Sequence, residues 1–436
     1  MRAHRLSANS RKRWILALMA SAAVALGAGP VLAGTVADTV RAAMRTNPDL
    51  GVVRADRHAV DQELRQARAR YLPSLDFRGA AGPEITNSPS TRRRGPGSTD
   101  TAEQFTLQSQ LRLSQLLFDG YETRSEVDRQ RARVDSASYR VQEAAEFVGV
   151  NAIEAHLEVL RNQEIQRLNE ANLQAHQRLF RQVGELERSG RGDVADVRQS
   201  EARVANAEAT LALSRGDLAD AIALYERVVG ERPSNLVPGQ VPTSALPGNA
   251  EEAARIASVQ SPTVLIAAAD IDTAAAELRG SRAGFYPRFD VELQANADRN
   301  IDGEDGEDLS AAALLVMRYN LFRGGADIAR EREAFHRLNE ARYGLERARR
   351  RAEEEARVSF NAYETARARA TALRARAEAQ RRTRDAYASQ FEIGQRDLLD
   401  LLDAENELFL ARVQQVTADY TERFAVYRVL GVVGSL

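Results

Sequence analysis

Hydrophobic and polar residues alternate along four short segments of the chain, and this period of two predicts four β-strands. The segments lie at about residues 74–82, 104–117, 288–298 and 309–321. In the second of them, Phe105, Leu107 and Leu111 fall on one face, while polar residues occupy most of the other. Each predicted strand therefore has one apolar face, and strands of about 9–14 residues are long enough to cross a bilayer when tilted.

Two much longer segments, 119–188 and 323–392, contain no proline and are rich in alanine, arginine, glutamate and leucine, which favour α-helices. Apolar residues recur in them at intervals of three and four. A helix of about 70 residues forms a rod roughly 105 Å long. Gly190 and Gly394 mark the turns that follow, and return helices complete two hairpins. The predicted helical hairpins span 119–229 and 323–430.

The order of these elements is repeated, so the chain contains two copies of one helix–β-hairpin–helix unit. Tyr71–Asp76 matches Phe285–Asp290, and Gly190–Val197 matches Gly394–Leu401. Four prolines between the two copies indicate an irregular connector. The predicted units are repeat one at 34–230, the connector at 231–260 and repeat two at 261–436.

Composition and charge narrow the possible classes of protein. The chain has 436 residues, no cysteine, and 60 Lys and Arg against 62 Asp and Glu. This balance gives no sign of nucleic-acid binding, and the lack of cysteine excludes disulfides, thiol catalysis and lipid attachment at an N-terminal cysteine. Residues 1–33 combine a basic start, an apolar stretch and a small-residue end, which predicts a secretory signal peptide. No later apolar run reaches about 18 residues, which excludes a transmembrane helix.

The alternating strands have three possible explanations. A soluble sandwich is the usual one, but four strands in two separate hairpins cannot form a sandwich core. A periplasmic coiled-coil scaffold without a pore explains the long helices and leaves the strands unexplained. A barrel assembled from several chains explains both features, because closure leaves no strand edge unpaired.

The most distinctive stretch is Phe391–Leu408 at the second helical turn, with the sequence FEIGQRDLLDLLDAENEL. Together with the repeats, it resembles the TolC family of outer-membrane channel-tunnels, and it is most similar to members serving type I secretion, including the agglutination-protein group. The resemblance implies a mostly α fold with a small β part. Three chains would form a twelve-stranded transmembrane β-barrel continued by a long periplasmic α-helical barrel. It also implies a homotrimer in the outer membrane of a Gram-negative bacterium, extending into the periplasm and in contact with outer-membrane lipid.

The same resemblance assigns roles to residues near the turns. Asp400 and Asp403 share a helix face, and aspartates at these positions in the family ring the narrow periplasmic end and favour cations. A hydrated helix surface is the ordinary explanation of such an acidic pair. Arg396 corresponds to an arginine that links neighbouring hairpins and holds the tip closed, with Asp196 at the acidic partner position. Phe391 stands where a family member has tyrosine, which predicts one hydrogen bond fewer in this gate.

The expected function is the exit duct of a type I secretion system for proteins or adhesins. An inner-membrane ABC transporter and its periplasmic adaptor would recruit the duct. The alternative is the outer-membrane duct of a drug or metal efflux pump, recruited by a resistance-type pump. No nucleophile elbow, phosphate loop or acid–base constellation occurs, and the histidines lack metal-ligand spacing. The sequence therefore predicts no enzymatic activity, no cofactor and no metal site.

Overall fold

The computed structural model describes residues 34–89, 91–93 and 101–435. Repeat one consists of α1 (Val36–Thr46), α2 (Pro48–Ala69), β1 (Ser74–Thr86), β2 (Ala102–Phe118), α3 (Glu122–Arg188) and α4 (Val194–Val229). Repeat two consists of α5 (Ala250–Gln260), α6 (Pro262–Ser281), β3 (Arg288–Arg299), β4 (Glu307–Arg318), α7 (Ala326–Glu392) and α8 (Leu398–Val432). The predicted signal peptide, residues 1–33, lies outside the described residues.

The two repeats have the same elements in the same order. Helices α1 and α5 each have 11 residues, and α3 and α7 each have 67. The predicted fold, mostly helical with two repeats and a small antiparallel sheet, is confirmed. One boundary differs, because α5 occupies residues assigned to the connector 231–260. The four connector prolines all precede this helix, and Asn249 caps it by accepting a hydrogen bond from the Glu252 amide at 2.8 Å.

Two strands end at positions other than those expected from the sequence. Strand β1 continues to Thr86 rather than to about residue 82, because it pairs with β2 along its whole length. It includes Pro83, which an edge strand tolerates. Strand β4 ends at Arg318 rather than at 321, because Arg318 pairs with Arg288, the first residue of β3. The residue before Arg288 is Pro287, which has no amide to donate to a longer strand.

The four strands form one antiparallel sheet in the order β1-β2-β3-β4, so the two hairpins pair with each other through β2 and β3. Strands β1 and β4 are the two edges of this sheet. Large apolar side chains stand exposed on one face of the sheet, including Leu75, Phe77, Leu111, Leu315 and Met317. A single chain therefore presents an apolar sheet surface and two unpaired edges to its surroundings.

Each repeat has its own apolar core, in which the short helices cover the long ones. In repeat one, Leu50 of α2 packs with Val148 of α3 and Val229 of α4. In repeat two, Val264 of α6 packs with Phe360 of α7. Alanines fill many of the remaining buried positions, and their small side chains allow neighbouring helices to approach closely. Within the described ranges, no helix is both long and apolar enough to cross a membrane.

A series of buried hydrogen bonds connects α1, α3 and α4 of repeat one with the connector that follows. The His156 side chain is fully buried, and its Nε2 lies 2.9 Å from the Val237 carbonyl oxygen. Burial favours the neutral imidazole, in which Nε2 carries the proton because a carbonyl oxygen only accepts, and Nδ1 then accepts from the Thr39 hydroxyl at 2.8 Å. The Tyr225 hydroxyl then donates to Thr39 Oγ1 at 3.1 Å. Protonation of Nδ1 would change it from an acceptor to a donor toward Thr39.

Acidification should therefore lower the thermal stability of the protein. Burial lowers the pKa of His156 below its ordinary value of 6.5, although the Val237 carbonyl acts in the opposite direction. The unfolded chain then binds more protons than the folded one, so stability falls as the pH falls through 6.5. We expect the melting temperature, followed by circular dichroism, to decrease from about pH 7.5 to about pH 5.5.

The variant His156→Asn should melt at a lower temperature throughout and lose part of this pH dependence. His58→Asn is the matched control, because the side chain of His58 is 73% exposed. This control should leave both the melting temperature and its pH dependence unchanged. The same pH dependence in His156→Asn and in the wild type would show that other groups are responsible.

Candidate functional site at the tip of the helical hairpins

Glycine forms both turns at the ends of the long helices. Gly190 has a φ of +70° and Gly394 a φ of +74°, in the left-handed region that glycine adopts without strain. In each turn, the amide of the next residue donates to a carbonyl five residues earlier at 2.9 Å. These hydrogen bonds cap the C-termini of α3 and α7 and direct the chain back along the return helix.

A small apolar cluster, the tip cluster, joins the two hairpins just behind these turns. Its buried members are Val183 of α3 and Leu398 and Leu402 of α8. The partly buried side chains packed against them are Leu179, Val197 and Phe391. All four long helices therefore contribute to one apolar contact, and Phe391 takes part in it through its ring.

Arg396 interacts only with its own hairpin among the described residues. Its Nη1 donates to Asp400 Oδ2 at 3.1 Å, and its Nε donates to Gln390 Oε1 at 3.1 Å. The guanidinium carbon lies 4.1 Å from the centroid of the Tyr387 ring, which adds a cation–π contact. Within one chain, the structure does not bring Arg396 to Asp196, which forms no ion pair with any described residue.

The pairing of Arg396 with Asp400 follows from helix geometry. The two residues are four positions apart at the start of α8, where side chains with this spacing face each other. A contact with Asp196 would have to come from another chain. The expectation that Arg396 links neighbouring hairpins through Asp196 therefore remains a prediction about the assembly.

Asp403 is paired with a residue that the sequence did not indicate. Arg203 of α4 donates through Nη2 to Asp403 Oδ1 at 2.9 Å. This ion pair connects the first hairpin to the second, since α4 and α8 belong to different repeats. Arg203 follows Asp196 by seven residues and so lies on the same face of α4, which is the one signal that could have pointed to it.

A buried histidine of α3 lies near this ion pair. Burial lowers the pKa of His176, and the positive charge of Arg203 lowers it further. The side chain is almost fully buried, and its Nδ1 has no hydrogen-bond partner among the described residues. His176 is therefore neutral near pH 7, so Arg203 is the cationic member of this pair of neighbouring side chains.

Both aspartates at the tip are more exposed than the arginines that pair with them. The side chain of Asp403 is 57% exposed against 31% for Arg203, and that of Asp400 is 47% exposed against 32% for Arg396. In both ion pairs at the tip, the carboxylate is therefore more accessible to solvent than the guanidinium group. Among the described residues, no group of three potential ligands is arranged to hold a metal ion.

The sheet, the paired helical hairpins and the charged tip together define an outer-membrane channel with a long periplasmic helical part. The sequence pattern of the outer membrane efflux protein family matches residues 39–230 and 254–434, and the chain belongs to this family. The two matched regions correspond to the two repeats. The resemblance to the TolC family is thus confirmed, and the protein is a non-enzymatic transport duct.

Individual relatives match over nearly the whole length of the chain. Outer membrane efflux protein BepC of Brucella suis biovar 1 (strain 1330) is 26% identical over 422 residues, which cover 95% of this chain and 90% of BepC. Proteases secretion protein PrtF of Dickeya chrysanthemi is 26% identical over 420 residues, covering 93% of this chain and 89% of PrtF. The crystal structure of CusC has the same fold, with a TM-score of 0.79, 16% identity and 93% coverage of both chains.

Proposed function

We propose that this protein is the exit duct of a type I secretion system, built as a homotrimer. An inner-membrane ABC transporter and its periplasmic adaptor recruit the duct for the export of proteins or adhesins. The stretch Phe391–Leu408 and the similarity to PrtF, a proteases secretion protein, support this function. The similarity to BepC, an outer membrane efflux protein, favours small-molecule efflux as the second candidate.

The main observation in support of the proposed duct is the sheet, which has two unpaired edges. Exposed edges and exposed leucines and phenylalanines are unfavourable in water, and both are removed if three sheets close into one barrel within a bilayer. In that barrel β4 of one chain pairs with β1 of the next. The loops that contain Arg93 and Asp305 then face the outside, and the turns at Gly190 and Gly394 lie in the periplasm.

Cysteine cross-linking tests this assembly, since the chain contains no cysteine of its own. One cysteine replaces Ala80 in β1, and a second replaces Ala311, Ala312 or Ala313 in β4. We expect oxidation to give covalent dimers and trimers for at least one pair, and the wild type to form stable channels in planar bilayers. The pair of Ala80→Cys with Ala295→Cys is the control, because β3 has strands on both sides. Absence of both cross-links and channels would contradict the proposed duct.

Deletion of the gene distinguishes between the two candidate functions, protein secretion and small-molecule efflux. Loss of a secreted protein from the culture medium, with unchanged resistance to drugs and metals, is expected for type I secretion. Increased sensitivity to drugs or metals with normal secretion would instead assign the duct to an efflux pump. The genes beside this one provide a second criterion, since an ABC transporter with a large repetitive adhesin accompanies the first function.

A further inference from the structure

The two ion pairs at the tip differ in how they connect the chain. Arg396 and Asp400 both belong to the second hairpin and are four residues apart. Arg203 belongs to the first hairpin and Asp403 to the second. A movement that separates the hairpins therefore leaves the first pair intact and breaks the second.

We propose that Arg203 is a specificity-determining residue of the duct, which neutralises Asp403 while the hairpins are together and uncovers it when they separate. This inference rests on the proposed function, because it assigns a regulatory role to a charge at the mouth of a channel. The periplasmic end then becomes more attractive to cations and to positively charged cargo as it opens. Asp400 keeps the same counter-ion, Arg396, in both states.

The ion pair acts through its charge rather than through its strength. Exposed ion pairs contribute only about 0–1 kcal/mol to stability, so this pair does not hold the hairpins together. Its effect on a passing ion is larger, because one guanidinium per chain cancels one carboxylate per chain at a constriction. His176 is neutral near pH 7, since burial lowers its pKa, and it adds no second positive charge beside Arg203.

The structure also explains why Arg203 is placed to do this. It lies on α4, one of the two return helices, and it crosses to α8 at the level of Asp403. The residue of repeat one that matches Asp403 is Gln199, so the first hairpin supplies no carboxylate at this position. The two hairpins thus contribute opposite charges to the same contact, and separating them separates those charges.

Reversal potentials in a KCl gradient test the proposal. The variant Arg203→Gln should raise the cation-to-anion permeability ratio about threefold, because Asp403 loses its counter-ion. Asp403→Asn should lower the ratio, because Arg203 is left without its carboxylate partner. The double variant removes both charges and should therefore lie close to the wild type. Arg198→Gln is the matched control on the same helix, because Arg198 pairs locally with Glu201. It should leave the ratio unchanged.

Modification after assembly removes any effect of the variant on folding. Arg203→Cys, in this cysteine-free chain, is reacted in the bilayer with a positively charged methanethiosulfonate and separately with a neutral one. The charged reagent should restore the wild-type reversal potential, and the neutral reagent should not. Equal effects of the two reagents, or an unchanged potential in Arg203→Gln, would overturn the role of Arg203. Failure of the wild type to form channels would instead overturn the proposed duct.

Discussion

Channels with both Asp400→Asn and Asp403→Asn should lose the cation selectivity of the wild type and become selective for anions. In the proposed homotrimer, threefold symmetry would bring six carboxylates to the periplasmic end, and rings of charge set selectivity in channels. Their removal leaves Arg203 and Arg396 of each chain without their carboxylate partners. The tip of the wild type presents exposed carboxylates backed by guanidinium groups, whereas the double variant presents guanidinium groups alone. Of all substitutions at the tip, we therefore expect this one to have the largest effect on ion selectivity.

The measurement is the reversal potential in a salt gradient, together with block by multivalent cations from the periplasmic side. Block should be strong in the wild type and weak in the double variant. Glu407→Gln is the matched control, since Glu407 lies one helical turn further along α8 and forms no ion pair with any described residue. An anion-selective wild type, or a double variant with the wild-type potential and block, would remove both aspartates from the constriction.

Much of the fold was predictable because periodicity and repetition are properties of local sequence. The alternation around Leu107 and Leu111 places β2, and the spacing of Gly190 and Gly394 in the two repeats indicates long helices of equal length. Strand ends were less predictable, since β4 ends where its partner begins at Arg288. The end of a strand depends on the neighbouring strand, which the local pattern does not contain.

The contacts between side chains at the tip were less predictable from the sequence than the identities of the residues located there. Asp400 and Asp403 stand out in the sequence, but nothing near them indicates Arg203, which is 200 residues away along the chain. Within one chain Arg396 pairs with Asp400, and its expected link to a neighbouring hairpin stays a prediction about the assembly. Pairing between helices depends on their rotation and axial shift, and these are fixed by the packing of buried side chains such as Leu402.

We expect this packing also to be the main contribution to the proposed closure of the tip. Leu402 is 0% exposed in the tip cluster, and replacing a buried leucine by alanine costs about 2–5 kcal/mol. Loss of an exposed ion pair costs about 0–1 kcal/mol. The tip cluster includes residues from both hairpins, so its loss favours their separation directly. We therefore expect packing, rather than the charged contacts, to dominate the stability of the proposed closed state.

The variant Leu402→Ala should therefore open the tip, with at least about a tenfold rise in open probability or a matching rise in mean conductance in planar bilayers. Leu399→Ala is the matched control, because Leu399 lies three residues earlier on α8 and is 49% exposed. The combination Arg396→Ala with Asp196→Ala should raise conductance by less than about fivefold, because at most a few weak contacts are lost. A larger rise in this combination than in Leu402→Ala would show that the Arg396–Asp196 contact predicted between neighbouring hairpins, and not the tip cluster, holds the periplasmic end closed.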